Sequence, residues 1–257
     1  MVAATGQPKY QAPYAPLTPG FVHVPFGDID ALKAEVDGDT AAVVLEPIQG
    51  EIGVIVPPQG YLTAVRELCD KHGALLVLDE IQTGMGRTGT LLCAEHEGVK
   101  ADICTLAKAL GNGFPIGAVL ATEAVAQAFK PGDHGTTFGG NALGCAVANA
   151  VLDTMLAEKI PERAAAVGAD FLKKLASLAA THPGVCIQAQ GMGLLLGLKL
   201  KPEVDGKSIV KHMLHEGYII NLAGNNTLRF VPPLTVPETL IDDMLAALDK
   251  TLAAINH

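Results

Sequence analysis

Short, mostly apolar runs punctuate the first half of the chain, separated by stretches in which apolar residues recur every three or four positions. The runs cover residues 41–45, ending at Glu46-Pro47; 74–78, ending at Asp79-Glu80; 102–106, just before Lys108; and 116–121. Residues 61–72 alternate apolar and charged positions at helical spacing and stop at Gly73. Residues 28–36 predict a shorter helix, with Asp28 as its N-cap. Apolar runs of about five residues alternating with helices predict strands of a mainly parallel sheet, buried on both faces. In such sheets ligands bind just beyond the carboxyl ends of the strands, where Glu46, Asp79 and Lys108 stand. The first forty residues hold neither period and are rich in proline and tyrosine, which predicts loop and extended chain.

The second half reads differently. Residues 141–158 and 161–180 predict two long helices rich in small residues. Beyond His182-Pro183-Gly184, strands are expected at 185–188, 193–200 and 227–231, and helices at 207–216 and 237–255. Strands and helices segregated in this way predict a small α+β domain. The division expected is a large α/β domain over residues 1–155 and a small domain over 156–257, within the reach of a chain of 257 residues.

Composition narrows the function. Hydrophobic residues make up 49% and charged ones 18%, too apolar and too weakly charged for a disordered chain. A net charge of −9 argues against a nucleic-acid groove, which needs a basic surface. No run approaches the ~18 apolar residues of a membrane span. The N-terminus, MVAATGQPKY, lacks the charged-then-apolar layout of a secretion signal. The five cysteines are scattered with no CxxC pair, as expected of reduced thiols. The chain is expected in the cytoplasm.

Three polar features at the strand ends then need a common explanation. Asp79 follows four large apolar residues, where a carboxylate is costly unless paired. Lys108 lies between Leu106-Ala107 and Ala109-Leu110, followed by Gly111-Asn112-Gly113, a setting expected to shield its amine from water beside a flexible loop. Desolvation there would lower its pKa and fit it for a Schiff base. The run TTFGGN, residues 136–141, opens a helix with hydroxyls and free N–H groups suited to a phosphate. Pyridoxal 5'-phosphate needs all three: a lysine for its aldehyde, a carboxylate for its pyridine nitrogen and a phosphate cup. Taken singly, each feature has a plainer explanation as an N-cap, a surface lysine or a loop. Their order, with Asp79 placed 29 residues before Lys108, is what accident explains poorly. Other features carry less. Gly111-Asn112-Gly113 lacks the third glycine of a dinucleotide turn. Cys93 and His96 form half a metal motif, His23, His72 and His215 read as surface groups, Arg87 as a turn residue, and 194–196 as a core strand.

The words around these residues resemble those of a known family. The stretch from Val43 to Glu51 contains EPIQGE, Leu75 to Gly89 reads LLVLDEIQTGMGRTG, and Thr105 to Leu120 reads TLAKALGNGFPIGAVL. HGTTFGGNALGCAVANAVL, from His134, and TLRFVPPL, from Thr227, complete the set. Together they resemble the class III, pyridoxal-phosphate-dependent aminotransferases over the whole chain. The resemblance implies the fold-type-I architecture: a large α/β domain around a mostly parallel sheet and a small C-terminal α+β domain. It implies that Lys108 is the Schiff-base lysine, and that Asp79 holds the pyridine nitrogen as part of a cofactor-binding tetrad with Glu80, Ile81 and Gln82. Gln82 would contact the cofactor's 3-hydroxyl. Thr137 resembles the phosphate-binding threonine that the neighbouring subunit of a homodimer donates, and Thr136 a hydroxyl residue near the substrate. Arg229 resembles the receptor for a substrate carboxylate, and Glu51 the glutamate that covers it. An amino donor and 2-oxoglutarate are the implied substrates. The family's first third, with its phosphate loop and stacking aromatic ring, has no counterpart here, so Met1 reads as an internal methionine. Ala142 and Gln190 stand where the family has proline and arginine. A chain so composed is expected to retain cofactor weakly, to leave one helical face of its sheet uncovered and to dissolve poorly.

Overall fold

The computed structural model describes residues 2–255. The order of elements is α1 (Pro8–Gln11), α2 (Ile29–Glu35), β1 (Ala42–Leu45), α3 (Tyr61–His72), β2 (Leu75–Asp79), β3 (Ile103–Leu106), β4 (Ala118–Ala121), α4 (Glu123–Ala126) and α5 (Ala142–Ala157). It continues through α6 (Ile160–Thr181), β5 (Cys186–Met192), β6 (Leu195–Leu200), α7 (Gly206–His215), β7 (Asn221–Ala223), β8 (Thr227–Phe230) and α8 (Glu238–Ile255). Two four-stranded sheets result, ordered β1-β2-β3-β4 and β5-β6-β8-β7. In the first, β1, β2 and β3 run parallel and β4 returns antiparallel to β3. The second is antiparallel throughout.

Local chemistry explains the helices that frame the first sheet. Asp28 accepts the amides of Asp30 and Ala31, so α2 opens on a side-chain cap. Along α3 the buried residues are Tyr61, Leu62, Val65, Leu68 and Cys69, one stripe of a 3.6-residue period, and Gly73 closes the helix in the left-handed region. That stripe joins Val43, Leu76 and Leu78 in one core. Cys104 and Leu106 meet Ala148 and Met155 of α5 in another. Lys159, at φ +51°, breaks α5 from α6, which lies on the second sheet. There Phe171, Leu175, Leu196, Leu198 and Leu228 form the largest core, closed by Ile241, Leu248 and Leu252 of α8. No helix of the described residues is long and apolar enough to cross a membrane.

The structure corrects the burial on both faces that the apolar runs suggested and shows the uncovered face expected of a chain without the family's first third. The register puts Val43, Leu76, Leu78, Cys104 and Leu106 on one face, and all are buried. The other face carries Val44, Leu75, Val77, Ile103 and Val119, together with Asp79 and Thr105. None of these is buried, and Val44 and Val119 are 58% and 71% exposed. The strands are apolar on both sides, but no element of the described residues covers the second side. Two smaller differences concern short segments. The proline-rich N-terminal region forms one turn of α1 where loop was expected, and β7, only three residues long, shows no readable period.

Candidate active site

Asp79 ends β2 on the open face. Its Oδ1 accepts the amide of Ile81 at 3.0 Å and the Thr105 hydroxyl at 3.1 Å, from the adjacent strand. The half-buried carboxylate is thereby fixed in place, and Oδ2 has no partner among the described residues. Lys108 follows β3 by two residues at φ +47°, in the left-handed region that a non-glycine residue enters at a cost of roughly 1 kcal/mol or more. Its carbonyl accepts the amides of Gly111 and Asn112, at 3.1 Å each. A Cβ at Gly111 would lie 2.1 Å from the Phe114 carbonyl oxygen, so only glycine lets this turn close. The segment after Lys108 is therefore a tight bonded turn rather than the flexible loop expected. The expected shielding also fails: the Lys108 side chain is exposed.

Glu46 ends β1 beside them. Its Oε2 accepts the Gly50 amide at 3.3 Å. Burial pushes its pKa up, the Gly50 hydrogen bond pulls down, the negative charge of Asp79 pushes up again and Lys108 pulls down. The three strand-end groups thus feel one another's charge. A carboxyl whose pKa is raised on folding binds its proton more tightly when folded. Its stabilising contribution is complete below its ordinary 4.5 and is lost as pH rises through the higher folded-state value. Glu46→Gln, which keeps an acceptor for Gly50 but cannot ionise, should flatten the fall in stability above that ordinary value. Urea midpoints measured across pH for both proteins check this, and parallel curves would refute it.

A second cluster joins the two sheets. Arg229 on β8 donates through Nη1 to the Gly50 carbonyl, Glu51 Oε1 and Gln82 Oε1, each at 3.2 Å, and through Nε to Asn221 Oδ1 at 3.2 Å. Gln82 Nε2 in turn donates to Glu51 Oε1 at 3.3 Å. The Glu51 loop is seated by backbone bonds to the β7–β8 turn, Gly224 N–H donating to the Glu51 carbonyl at 3.0 Å. Arg229 and Glu51 are therefore paired as the resemblance implied, whereas Gln82 is held in their cluster.

The remaining expected residues lie elsewhere. The Glu80 carboxylate, 1% exposed, points into the interior, where it accepts the amides of Cys93 and Ala94 at 3.0 and 2.9 Å and the Thr83 hydroxyl. Burial raises its pKa against those bonds. It anchors the turn of residues 93–97 and presents no side chain to the open face. Ile81 contributes the amide that holds Asp79. Thr136 and Thr137 stand on an exposed segment, where the Thr136 hydroxyl accepts the Gly139 amide at 3.2 Å, and no bond joins either to Asp79 or Lys108 among the described residues.

Arg87, read from sequence as a turn residue, is a half-buried link between the halves of the molecule. It donates to the carbonyls of Leu194 and Pro232 at 3.0 and 2.6 Å, and burial lowers its pKa to about 10. Arg163 of α6 holds the next carbonyls, Leu234 and Val236, at 2.6 Å each. Nothing local in GMGRTG foretells partners more than a hundred residues away. Cys93 and His96 belong to no group able to hold a metal among the described residues.

The donor set fits pyridoxal phosphate in part. A fixed carboxylate with one free oxygen ends β2, an exposed lysine in a strained conformation follows the adjacent β3, and both act electrostatically on Glu46. The hydroxyls of Thr136 and Thr137 form no bond with Asp79 or Lys108 among the described residues.

Comparison with known proteins decides the family. The sequence pattern described as Aminotransferase class-III matches residues 1–252. The chain belongs to the class III aminotransferases. Among such aminotransferases, the chain is 49% identical to an acetylornithine aminotransferase of Methanothermobacter thermautotrophicus over 98% of its own length and 64% of the relative's. It is 46% identical to a putrescine aminotransferase of Pectobacterium atrosepticum, over 99% of this chain and 57% of that one. An ornithine aminotransferase structure from Toxoplasma gondii superposes with a TM-score of 0.94 at 36% identity, covering 99% of this chain and 61% of that one. This class III chain thus spans about 64% of the length of the first curated relative it matches. Class III aminotransferases are pyridoxal-phosphate enzymes of fold type I, and both sheets here fall within that architecture.

Proposed function

We propose that this chain carries the acetylornithine aminotransferase reaction. In it, N2-acetyl-L-ornithine and 2-oxoglutarate give N-acetyl-L-glutamate 5-semialdehyde and L-glutamate. The observation that carries the reaction type is the placement of Asp79 and Lys108 at the carboxyl ends of adjacent parallel strands, both acting on Glu46, together with the Arg229 cluster that includes Gln82, three residues beyond Asp79. The donor is inferred from likeness to acetylornithine aminotransferases and from the stretches ATGQPKYQ and HVPFGDIDAL.

When bound, pyridoxal phosphate supplies an electron sink for the negative charge left on the substrate carbon that loses its proton. Asp79, fixed through Oδ1 by Ile81 and Thr105, would hold the pyridine nitrogen with Oδ2. Lys108 Nζ would take the proton from the amine-bearing carbon and deliver it to the cofactor side. Arg229 would bind the α-carboxylate of 2-oxoglutarate. Glu51 would neutralise that guanidinium while the amino donor presents its other end. In this reading residues 1–155 hold the cofactor and 156–257 form the small domain. The exposed segment carrying Thr136, Thr137 and Phe138, the last 82% exposed, suits donation of Thr137 to a second copy in a cytoplasmic homodimer.

The test compares kcat/KM for acetylornithine with values for ornithine, succinylornithine, putrescine and 4-aminobutyrate, each with 2-oxoglutarate. A clear preference for another donor overturns the substrate assignment. Ornithine is the second candidate, favoured by the superposition on the Toxoplasma gondii enzyme. Arg229→Ala should raise KM for 2-oxoglutarate by about 100-fold, because a charged hydrogen-bond receptor is lost. An unchanged KM removes Arg229 from the site.

A further inference from the structure

Within the cluster on Arg229, Gln82 bonds both members of the ion pair. Its Oε1 accepts from Arg229 Nη1 and its Nε2 donates to Glu51 Oε1, so arginine, glutamate and amide form a closed triangle with sides of 3.2, 3.2 and 3.3 Å. The amide is seated there by Gly50: a Cβ at that position would lie 2.7 Å from Gln82 Oε1. Glu51 is 62% exposed and Arg229 12%. An ion pair open to water on one side is worth ~0–1 kcal/mol and is by itself a loose cover. The amide adds a second hydrogen bond to the same Glu51 oxygen and a further acceptor for the same Arg229 nitrogen. Arg229 Nη2, meanwhile, has no partner among the described residues.

We propose that Gln82 is the third member of the gate over Arg229 and sets how readily a substrate carboxylate reaches it. The proposal rests on Arg229 being the carboxylate receptor. A carboxylate that takes Nη1 together with the free Nη2 in a two-pronged contact displaces Glu51 and Gln82 at once, along with the Gly50 carbonyl. Glu51 cannot swing away without also leaving the Gln82 amide. The gate therefore opens as a unit of three hydrogen bonds. Gln82 is a positioning residue in this role: it acts on the substrate through Arg229 and Glu51.

The test measures binding of glutarate, an unreactive dicarboxylate, to the full chain by calorimetry at low salt. Gln82→Leu keeps the bulk beside Gly50 and removes both hydrogen bonds. It should tighten glutarate about three- to tenfold, the effect of losing about one net hydrogen bond from the closed gate. Gln82→Glu places a second carboxylate on Arg229 and should weaken glutarate by at least about tenfold. In a Glu51→Gln background the gain from Gln82→Leu should shrink, since the two act together. Urea midpoints taken alongside show that each variant is folded. Equal affinity for the wild type and Gln82→Leu, with both folded, makes Gln82 a spacer and overturns the proposal while leaving the receptor intact. Arg229→Ala separates that result from failure of the receptor itself. Glutarate binding that survives Arg229→Ala, or no binding by the wild type, overturns the assignment of Arg229 and the gate with it.

Discussion

Lys108→Ala should abolish transamination in any assembly of this chain that turns over, with a fall of at least about 10⁴-fold. One amine is asked both to hold the cofactor covalently and to carry the proton between two carbons, and alanine does neither. Exposure of the Lys108 side chain makes a direct chemical test available. Pyridoxal phosphate added to the wild-type chain and trapped with borohydride should leave a pyridoxyl mass on the peptide that contains Lys108. In Lys108→Ala that peptide should carry none. Retained turnover in the variant, or a pyridoxyl group fixed mainly on another lysine, would remove Lys108 from the chemistry. The strained φ of +47° sharpens the expectation, since such a conformation persists only where surrounding structure imposes it. Here the bonded turn through Gly111 and Asn112 does so.

Gly168→Ala should destabilise the fold by about 3 kcal/mol, although the same change on an open helix face would gain about 1 kcal/mol. Gly168 lies within α6, and a Cβ there would meet the Gly193 carbonyl oxygen at 2.1 Å, its carbon at 2.2 Å and its Cα at 2.6 Å. These are backbone atoms with little room to move. Gly193, at φ +55°, is itself pressed on the other side, where a Cβ would lie 2.5 Å from the Thr88 carbonyl carbon. Helix α6, the β5–β6 turn and the loop carrying Arg87 thus meet backbone to backbone, and overlap must outweigh helix propensity. Gly38→Ala, where an added Cβ meets nothing within 4 Å, should stay within about 0.5 kcal/mol of the wild type. Urea unfolding of both variants decides the matter, and a Gly168→Ala midpoint at or above that of Gly38→Ala would refute it.

The sequence made the large elements legible because their signals are local. The stripe of α3 and its Gly73 stop, the Asp28 cap and the apolar runs ending at Glu46 and Asp79 each need only neighbours in the chain. Asp79 and Lys108 were singled out as candidates for the same reason, by short words around single residues. Burial was not legible in that way. Val44 and Val119 look like interior strand residues, and only the absence of the family's first third, not any local pattern, pointed to an uncovered face. The partners of long side chains were hidden by distance. Gln82 meets Arg229 across 147 positions and Arg87 meets Pro232 across 145, and both pairings exist only once the second sheet is docked. The interior position of Glu80 was also out of reach: the resemblance grouped it with Asp79, while alternation along the backbone sends the two carboxylates to opposite sides.

The two halves of the molecule are joined by contacts of opposite electrical character. Arg87 grips the carbonyl oxygens of Leu194 and Pro232, dipoles that neither titrate nor attract counter-ions. Arg229 meets a carboxylate that is largely in water. Dissolved salt at physiological strength screens charges over about 8 Å, so it weakens the second contact and leaves the first almost untouched. The junction at Arg87 keeps its geometry whatever the ionic strength of its surroundings, and the Arg229–Glu51 pair loosens as salt rises.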